Sequence, residues 1–190
     1  LKEHNIWTNE GMKVLELEKH IDHRGFFSEV FNENTLGEFG IHFNVKQINH
    51  SGSNGGTIRG LHFQQCFQQA KIMRVILGKA FLVAVDLRKF SPDFGKWYGI
   101  ESNDEDDKIV YTEGGFARGF LATSEFTEIE YFCDEVYNPD EEYCIKWDDK
   151  DIGIKWPEVD PEWAITTSGK DQNGMSFKHW IDNPRSEEIR

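Results

Sequence analysis

The stretch from Gln47 to Lys71, QINHSGSNGGTIRGLHFQQCFQQAK, decides how the rest of the chain is read. A glycine-broken turn at Ser53-Asn54-Gly55-Gly56 precedes a run from Ile58 to Gln64 that alternates with a period of two. Read as a strand, it carries Ile58, Gly60, His62 and Gln64 on one face and Arg59, Leu61 and Phe63 on the other, unless a bulge changes the phase. An imidazole and an amide on a strand set among apolar strands need partners, so that face is either wet or lines a pocket. After a glutamine-rich link, the run from Ala70 to Gly78 puts Lys71, Met73 and Val75 on one face.

Outward from this centre the same rhythm repeats. Lys79 to Leu87 contains a six-residue apolar run closed by Asp86, the mark of a buried strand, and Ser91-Pro92-Asp93-Phe94-Gly95 supplies a turn. Further strands are expected at Met12 to Glu18, Phe26 to Phe31, Phe43 to Asn49, Lys96 to Glu101, Lys108 to Tyr111, Ala117 to Ala122 and Glu128 to Cys133. Asp22-His23-Arg24-Gly25 reads as a turn, Asn34 to Phe39 as one turn of helix, and no long helix is credible before Asn138. Many short strands between glycine-rich or acidic turns predict an all-β sandwich or barrel. The tail from Cys144, with tryptophan-terminated pieces at Trp147 and Trp156, is expected to wrap it, all 190 residues forming one domain.

Composition removes several function classes. The formal charge of −13 argues against a nucleic-acid partner bound by phosphate neutralisation, yet a few local arginines and lysines still suffice for an anionic small ligand. No run is long enough to span a membrane and the start carries no signal-peptide pattern, so no membrane and a cytoplasmic location are expected. Cys66, Cys133 and Cys144 are odd in number and lack CxxC spacing, which disfavours a disulfide scaffold and a structural zinc site. GxGxxG, P-loop and GxSxG patterns are absent. His62 is followed by Phe63 and Gln64 and not by a second histidine, so a metal site is not expected.

What remains is a mixed polar set: His62, Lys71, Tyr131, Tyr137, Arg24, Arg59, Gln47, Asn49 and Asp171. Each has an ordinary reading. A strand histidine is usually packed or hydrogen-bonded, Arg59 on this reading simply holds an acidic loop, Tyr131 belongs to core or rim, and Asp171 to a solvated tail.

The ordered set Asp22-His23-Arg24-Gly25-Phe26-Phe27-Ser28-Glu29, Gln47-Ile48-Asn49-His50-Ser51, Arg59-Gly60-Leu61-His62-Phe63-Gln64, Val83 to Arg88 with Ser91 to Trp97, Gly115-Phe116-Ala117 with Gly119-Phe120, Tyr137-Asn138-Pro139 with Glu141 or Glu142, and Trp147-Asp148-Asp149 through Trp156-Pro157 resembles the dTDP-4-dehydrorhamnose 3,5-epimerase family. The resemblance implies a cupin-type jelly-roll barrel with a short, partly irregular C-terminal segment, forming a homodimer without metal or cofactor. It implies an isomerase acting on a nucleotide-diphosphate-linked 4-keto-6-deoxyhexose at C3, C5 or both. Position by position, His62 resembles the base, Asp171 the carboxylate behind it, Lys71 the lysine near the 4-oxo oxygen, and Tyr131 the proton donor on the opposite face. Arg24, Phe26, Gln47, Asn49, Arg59 and Tyr137 match positions holding the nucleotide diphosphate and base, some from across the dimer. Glu29, Arg118 and Lys170 complete the expected substrate-binding set.

Two positions depart from the family pattern. Arg118 stands where the family usually has a histidine between Ala117 and Gly119, and Leu82 where it usually has an aspartate. Both border the sugar pocket in the family, so they imply retuned electrostatics, with Arg118 able to hold an extra hydroxyl or phosphate oxygen. The alternatives kept open are a single-centre epimerase on a different 4-keto nucleotide sugar and a nucleotide-sugar binding protein without turnover.

Overall fold

The computed structural model describes residues 1–4 and 11–189. In chain order its elements are β1 (Lys2–His4), β2 (Met12–Glu16), β3 (Lys19–Asp22), β4 (Gly25–Ser28), α1 (Glu33–Glu38), β5 (Gln47–Asn54), β6 (Ile58–Gln64), β7 (Lys71–Leu77), β8 (Lys79–Asp86), β9 (Trp97–Asn103), β10 (Lys108–Thr112), β11 (Phe116–Ala122), β12 (Phe126–Cys133), β13 (Glu142–Cys144), α2 (Gly169–Gln172) and α3 (Phe177–Asp182), with a 3-10 turn at Pro184–Glu188. The expected strands are present with ends shifted by a few residues. The exception is Phe43 to Asn49, where pairing begins only at Gln47, because Phe43 packs as an apolar plug and not as a ladder residue.

The strands form a six-stranded sheet in the order β1-β2-β10-β7-β12-β5, a five-stranded sheet in the order β13-β6-β11-β8-β9, and the separate hairpin β3-β4. This corrects the jelly-roll barrel expectation. β1 and β5 remain edges of the larger sheet and β13 and β9 of the smaller, so the sheets pack as open layers and do not close into a barrel. The all-β character stands.

The layers follow from side-chain alternation. Along β8, Ala80, Leu82 and Ala84 point between the sheets, where they meet Met73, Val75, Phe120 and Ile129, while Val83 and Val85 point outward. The outward side is covered by the tail, through Ile145, Ile152, Phe177, Trp180 and Ile189. On the far side of the six-stranded sheet, Leu15, Ile72, Ile109 and Phe132 are covered by the segment bearing Leu36, Ile41 and Phe43. β8 is therefore apolar on both faces, which explains its unbroken hydrophobic run. Each valine, leucine or isoleucine side chain buried this completely contributes roughly 1.5–3 kcal/mol to the folded state.

One irregularity sets the site. Between β6 and β11 the register passes from Arg118 opposite His62 to Phe120 opposite Arg59, so β6 advances three residues while β11 advances two. The extra residue is accommodated at Gly60, whose φ is +126°, and a Cβ there would lie 2.6 Å from the Arg118 carbonyl oxygen. Opposite it, a Cβ on Gly119 would lie 2.7 Å from the Arg59 carbonyl oxygen. Two glycines thus let the backbones meet where any side chain would hold them apart. The strict period-two reading of β6, which sent Arg59 away from His62, is corrected here: the bulge changes the phase and both residues line one cavity.

Candidate active site

The cavity, of about 220 Å³, opens between the two sheets beyond their shared core. One wall is built by Arg59 and His62 of β6 with Arg118, Gly119 and Phe120 of β11; the other by Asn49 of β5, Lys71 and Met73 of β7, and Tyr131 of β12. His62 and Tyr131 therefore belong to opposite sheets around one space. Arg59, Lys71 and Arg118 place three cations there in a chain whose net charge is −13.

His62 is half-buried, and its Nε2 lies 2.5 Å from Asp171 Oδ1. Asp171 is only 2 % exposed although the surrounding tail is polar. The short helix α2 carries it inward, with Ser168 as N-cap and the Ser168 hydroxyl 2.9 Å from Asp171 Oδ2. Burial works to raise the Asp171 carboxyl, but the His62 hydrogen bond and charge, with the Ser168 bonds, leave it below its ordinary value. With Nε2 engaged, Nδ1 is the ring nitrogen left for a ligand.

Tyr131 shares a hydrogen bond with Ser51 across 3.0 Å. Burial pushes its phenol up to about 12, outweighing the opposing pull of the Ser51 bond and of Arg59. Lys71, opposite Thr112 on one side and Cys133 on the other, is shifted down by burial and then by the charge of Arg118. Arg59 donates from Nε to Ser53 Oγ at 3.0 Å and from Nη2 to the Gly52 carbonyl at 3.0 Å, which steadies it on the β5 turn.

The two departures differ in kind. Leu82 is fully buried opposite Phe120 and packs in the core between the sheets. Arg118 is 5 % exposed, and its guanidinium donates to Thr112 Oγ1 and to the carbonyls of Thr112, Glu113 and Phe116. Burial lowers it to about 10. Four of the roughly five donors of a guanidinium are thereby spent on the turn leading into β11.

A second group forms the rim. Gln47 donates from Nε2 to Asn49 Oδ1 at 2.8 Å and accepts the Tyr137 backbone N–H at 2.8 Å. The Tyr137 hydroxyl and the Lys170 ammonium both donate to Glu142 Oε2, the first at 2.5 Å. Burial works to raise the Glu142 carboxyl, but the Lys170 and Tyr137 bonds and the charges of Lys170 and His62 hold it below its ordinary value. Gln47, Asn49, Tyr137 and Lys170 are thus brought into one network with the cavity. Arg24, Phe26 and Glu29 are not. Arg24 is bound to Asp22 on the exposed β3-β4 hairpin, Phe26 is 69 % exposed, and Glu29 lies exposed just past β4.

Sequence reasoning gave no role to Glu142, Ser168, Ser51 or Thr112. Ser168-Gly169-Lys170-Asp171 does carry a readable signal, the S-x-x-D form of a helix start. Ser51 meets Tyr131 through the β5–β12 pairing, Glu142 meets Tyr137 from the preceding loop and Lys170 from α2, and Thr112 meets Arg118 across the turn between β10 and β11.

His62, Cys144 and Asp171 offer nitrogen, sulfur and oxygen within 4.8 Å of one another, a donor set known from zinc sites. The fit is poor. An ion at roughly 2.0 Å from both nitrogen and oxygen with tetrahedral angles would need them farther apart than 2.5 Å. The Cys144 thiol is also pushed up to about 12 by burial and by Asp171, which keeps it protonated. A proton suits this spacing better than a metal.

The chain matches the dTDP-4-dehydrorhamnose 3,5-epimerase family over residues 8–179. It is 43% identical over 175 residues to a dTDP-4-dehydrorhamnose 3,5-epimerase of Methanothermobacter thermautotrophicus, covering 92% of each chain. It resembles the dTDP-6-deoxy-D-glucose-3,5-epimerase of Legionella pneumophila, solved with dTDP-4-keto-L-rhamnose, with a TM-score of 0.87, 32% identity and coverage of 95% of this chain and 93% of the other. It also resembles a 3'-monoepimerase from Streptomyces bikiniensis in complex with dTDP-quinovose, with a TM-score of 0.80, 32% identity and coverage of 90% and 85%.

Proposed function

This chain belongs to the dTDP-4-dehydrorhamnose 3,5-epimerase family, and on that premise we propose that it epimerises a nucleotide-diphosphate-linked 4-keto-6-deoxyhexose, dTDP-4-dehydro-6-deoxyglucose first among them, at C3, C5 or both. The observation that carries the reading is the presence of His62 and Tyr131 on opposite sheets around one cationic cavity.

The ketone at C4 acidifies the hydrogens on C3 and C5. His62 Nδ1 takes one of them, breaking the C–H bond, and Asp171 behind the ring supports the imidazolium that forms. The electron pair moves to the C4 oxygen, where the Lys71 ammonium stabilises the enolate and Arg118 adds a fixed charge from behind. Tyr131, protonated at neutral pH because its phenol titrates near 12, returns a proton to the same carbon from the other face and inverts it. The step is redox-neutral.

Arg59, with the network of Gln47, Asn49, Tyr137 and Lys170, holds the diphosphate and base, the guanidinium fork suiting phosphate oxygens. The exposed hairpin, with Ile21 77 %, Phe26 69 % and Phe27 69 % exposed, supports a homodimer in which Arg24, Phe26 and Glu29 serve the partner's cavity. Arg118 acts as a fixed charge and not as a substrate anchor, since four of its roughly five N–H donors are spent on protein oxygens.

The test is solvent-deuterium incorporation in D2O with dTDP-4-dehydro-6-deoxyglucose, followed at C3 and C5 by NMR. Label at both carbons with the doubly inverted product gives the ordinary family reaction; label at one gives the single-centre alternative, the reaction class of the Streptomyces relative. Tight binding without label at either carbon would replace the enzyme reading by a nucleotide-sugar binding protein.

A further inference from the structure

Ser168 stands where a helix cap and the His62–Asp171 pair meet. Its Oγ accepts the backbone N–H of Asp171 at 3.1 Å and lies 2.9 Å from Asp171 Oδ2, while Asp171 Oδ1 faces His62 Nε2 at 2.5 Å. In an ordinary capping box the acidic side chain three residues on reaches back to the N-cap backbone N–H. Here that carboxylate is turned to the cap hydroxyl and the imidazole instead.

The proton positions follow from donor inventory. A backbone N–H only donates and an ionised carboxylate only accepts, so the single hydroxyl proton of Ser168 points at Oδ2. Both oxygens of Asp171 are then directed, Oδ2 by Ser168 and Oδ1 by His62. Cys144 Sγ, 3.7 Å from Oδ1 and shared with the Ile145 carbonyl, is a weaker contact.

We propose that Ser168 is a positioning residue for proton abstraction: by donating to Asp171 Oδ2 it fixes the rotation of the carboxylate, so that Oδ1 holds His62 Nε2 and Nδ1 faces the cavity. This rests on the reading of His62 as the base. A cap needs only an acceptor at Ser168, whereas positioning needs a donor, and that difference separates the two roles.

The experiment compares Ser168→Thr, Ser168→Gly and Ser168→Ala in the whole protein, by turnover and deuterium uptake across a pH series. Threonine keeps donor and acceptor. Glycine and alanine both lack the donor and the acceptor, but glycine is well tolerated at a helix start and alanine is not. Expected are rates within about twofold of wild type for threonine, and kcat at least tenfold lower for glycine and alanine with KM little changed, a loss smaller than the roughly 10²–10⁴ supplied by a general base. The acid limb of kcat/KM should also move to lower pH in those two variants, because a misdirected carboxylate supports the imidazolium less well. The other charged and titratable groups facing the pair or sharing its cavity are Glu142 and Cys144 from β13, Arg118 from β11, Lys170 from α2, Arg59 from β6, Lys71 from β7 and Tyr131 from β12, all unchanged by the substitutions.

Wild-type kcat in the glycine variant, a threonine variant as slow as alanine, or losses that follow melting temperature alone would overturn the assignment to Ser168 while leaving His62 as base. Absence of label with the wild-type protein would remove both readings together.

Discussion

His62 and Asp171 are 109 residues apart in the chain and meet at 2.5 Å, so the pair exists only if β6 and the tail are both in place. At this scale the expected outcomes are sharp. His62→Asn should abolish deuterium uptake while nucleotide-sugar affinity changes by less than about threefold, because the ring acts in the transition state and the diphosphate anchors the ground state. Binding calorimetry alongside NMR reads both quantities; wild-type-like label in the variant would reassign the base. Asp171→Asn should slow turnover strongly, since an amide offers the imidazolium no charge and allows the wrong tautomer. The family resemblance, and not residue type, selected both positions, and Asp171 in a polar tail gave no sign of being 2 % exposed.

The element that matters most is the bulged strand β6. Gly60 and Gly119 face each other where a Cβ on either would meet backbone at 2.6 or 2.7 Å, and Gly60 has a positive φ that side chains resist. Gly60→Ala is therefore expected to cost more than about 2 kcal/mol of stability. It should also separate Arg59 from His62, so that any folded fraction binds nucleotide diphosphate more weakly. Thermal denaturation and a dTDP titration check this; an alanine variant with wild-type melting and affinity would show that the glycine pair does not set the register. The sequence displayed the glycines and the alternation, yet a bulge is a mismatch between two strands and cannot be counted from one. The same limit left the motif open between Glu141 and Glu142, since the place of Glu142 opposite Gln64 is a matter of pairing.

For the whole molecule, the exposed β3-β4 hairpin is the feature a single chain leaves unexplained. Phe26→Asp together with Phe27→Asp should turn the proposed dimer into a monomer and lower turnover, with the fold intact because the hairpin stands outside both sheets. Light scattering with circular dichroism reads this, and a wild-type protein that is already monomeric at micromolar concentration would sink the dimer. The sequence by itself determined the strand rhythm, the double-sided burial of β8, the acidic balance and the ordered motifs of the family, because these depend on local alternation and residue chemistry. Only the tertiary structure decided that the sheets stay open, that Arg59 joins His62, that Leu82 packs into the core and that Arg118 spends its donors on Thr112, Glu113 and Phe116. Barrel and layered sandwich bury the same alternate residues, and they differ only in whether distant edges pair. That closure, like the fate of each polar side chain, is fixed by contacts between segments far apart in the chain.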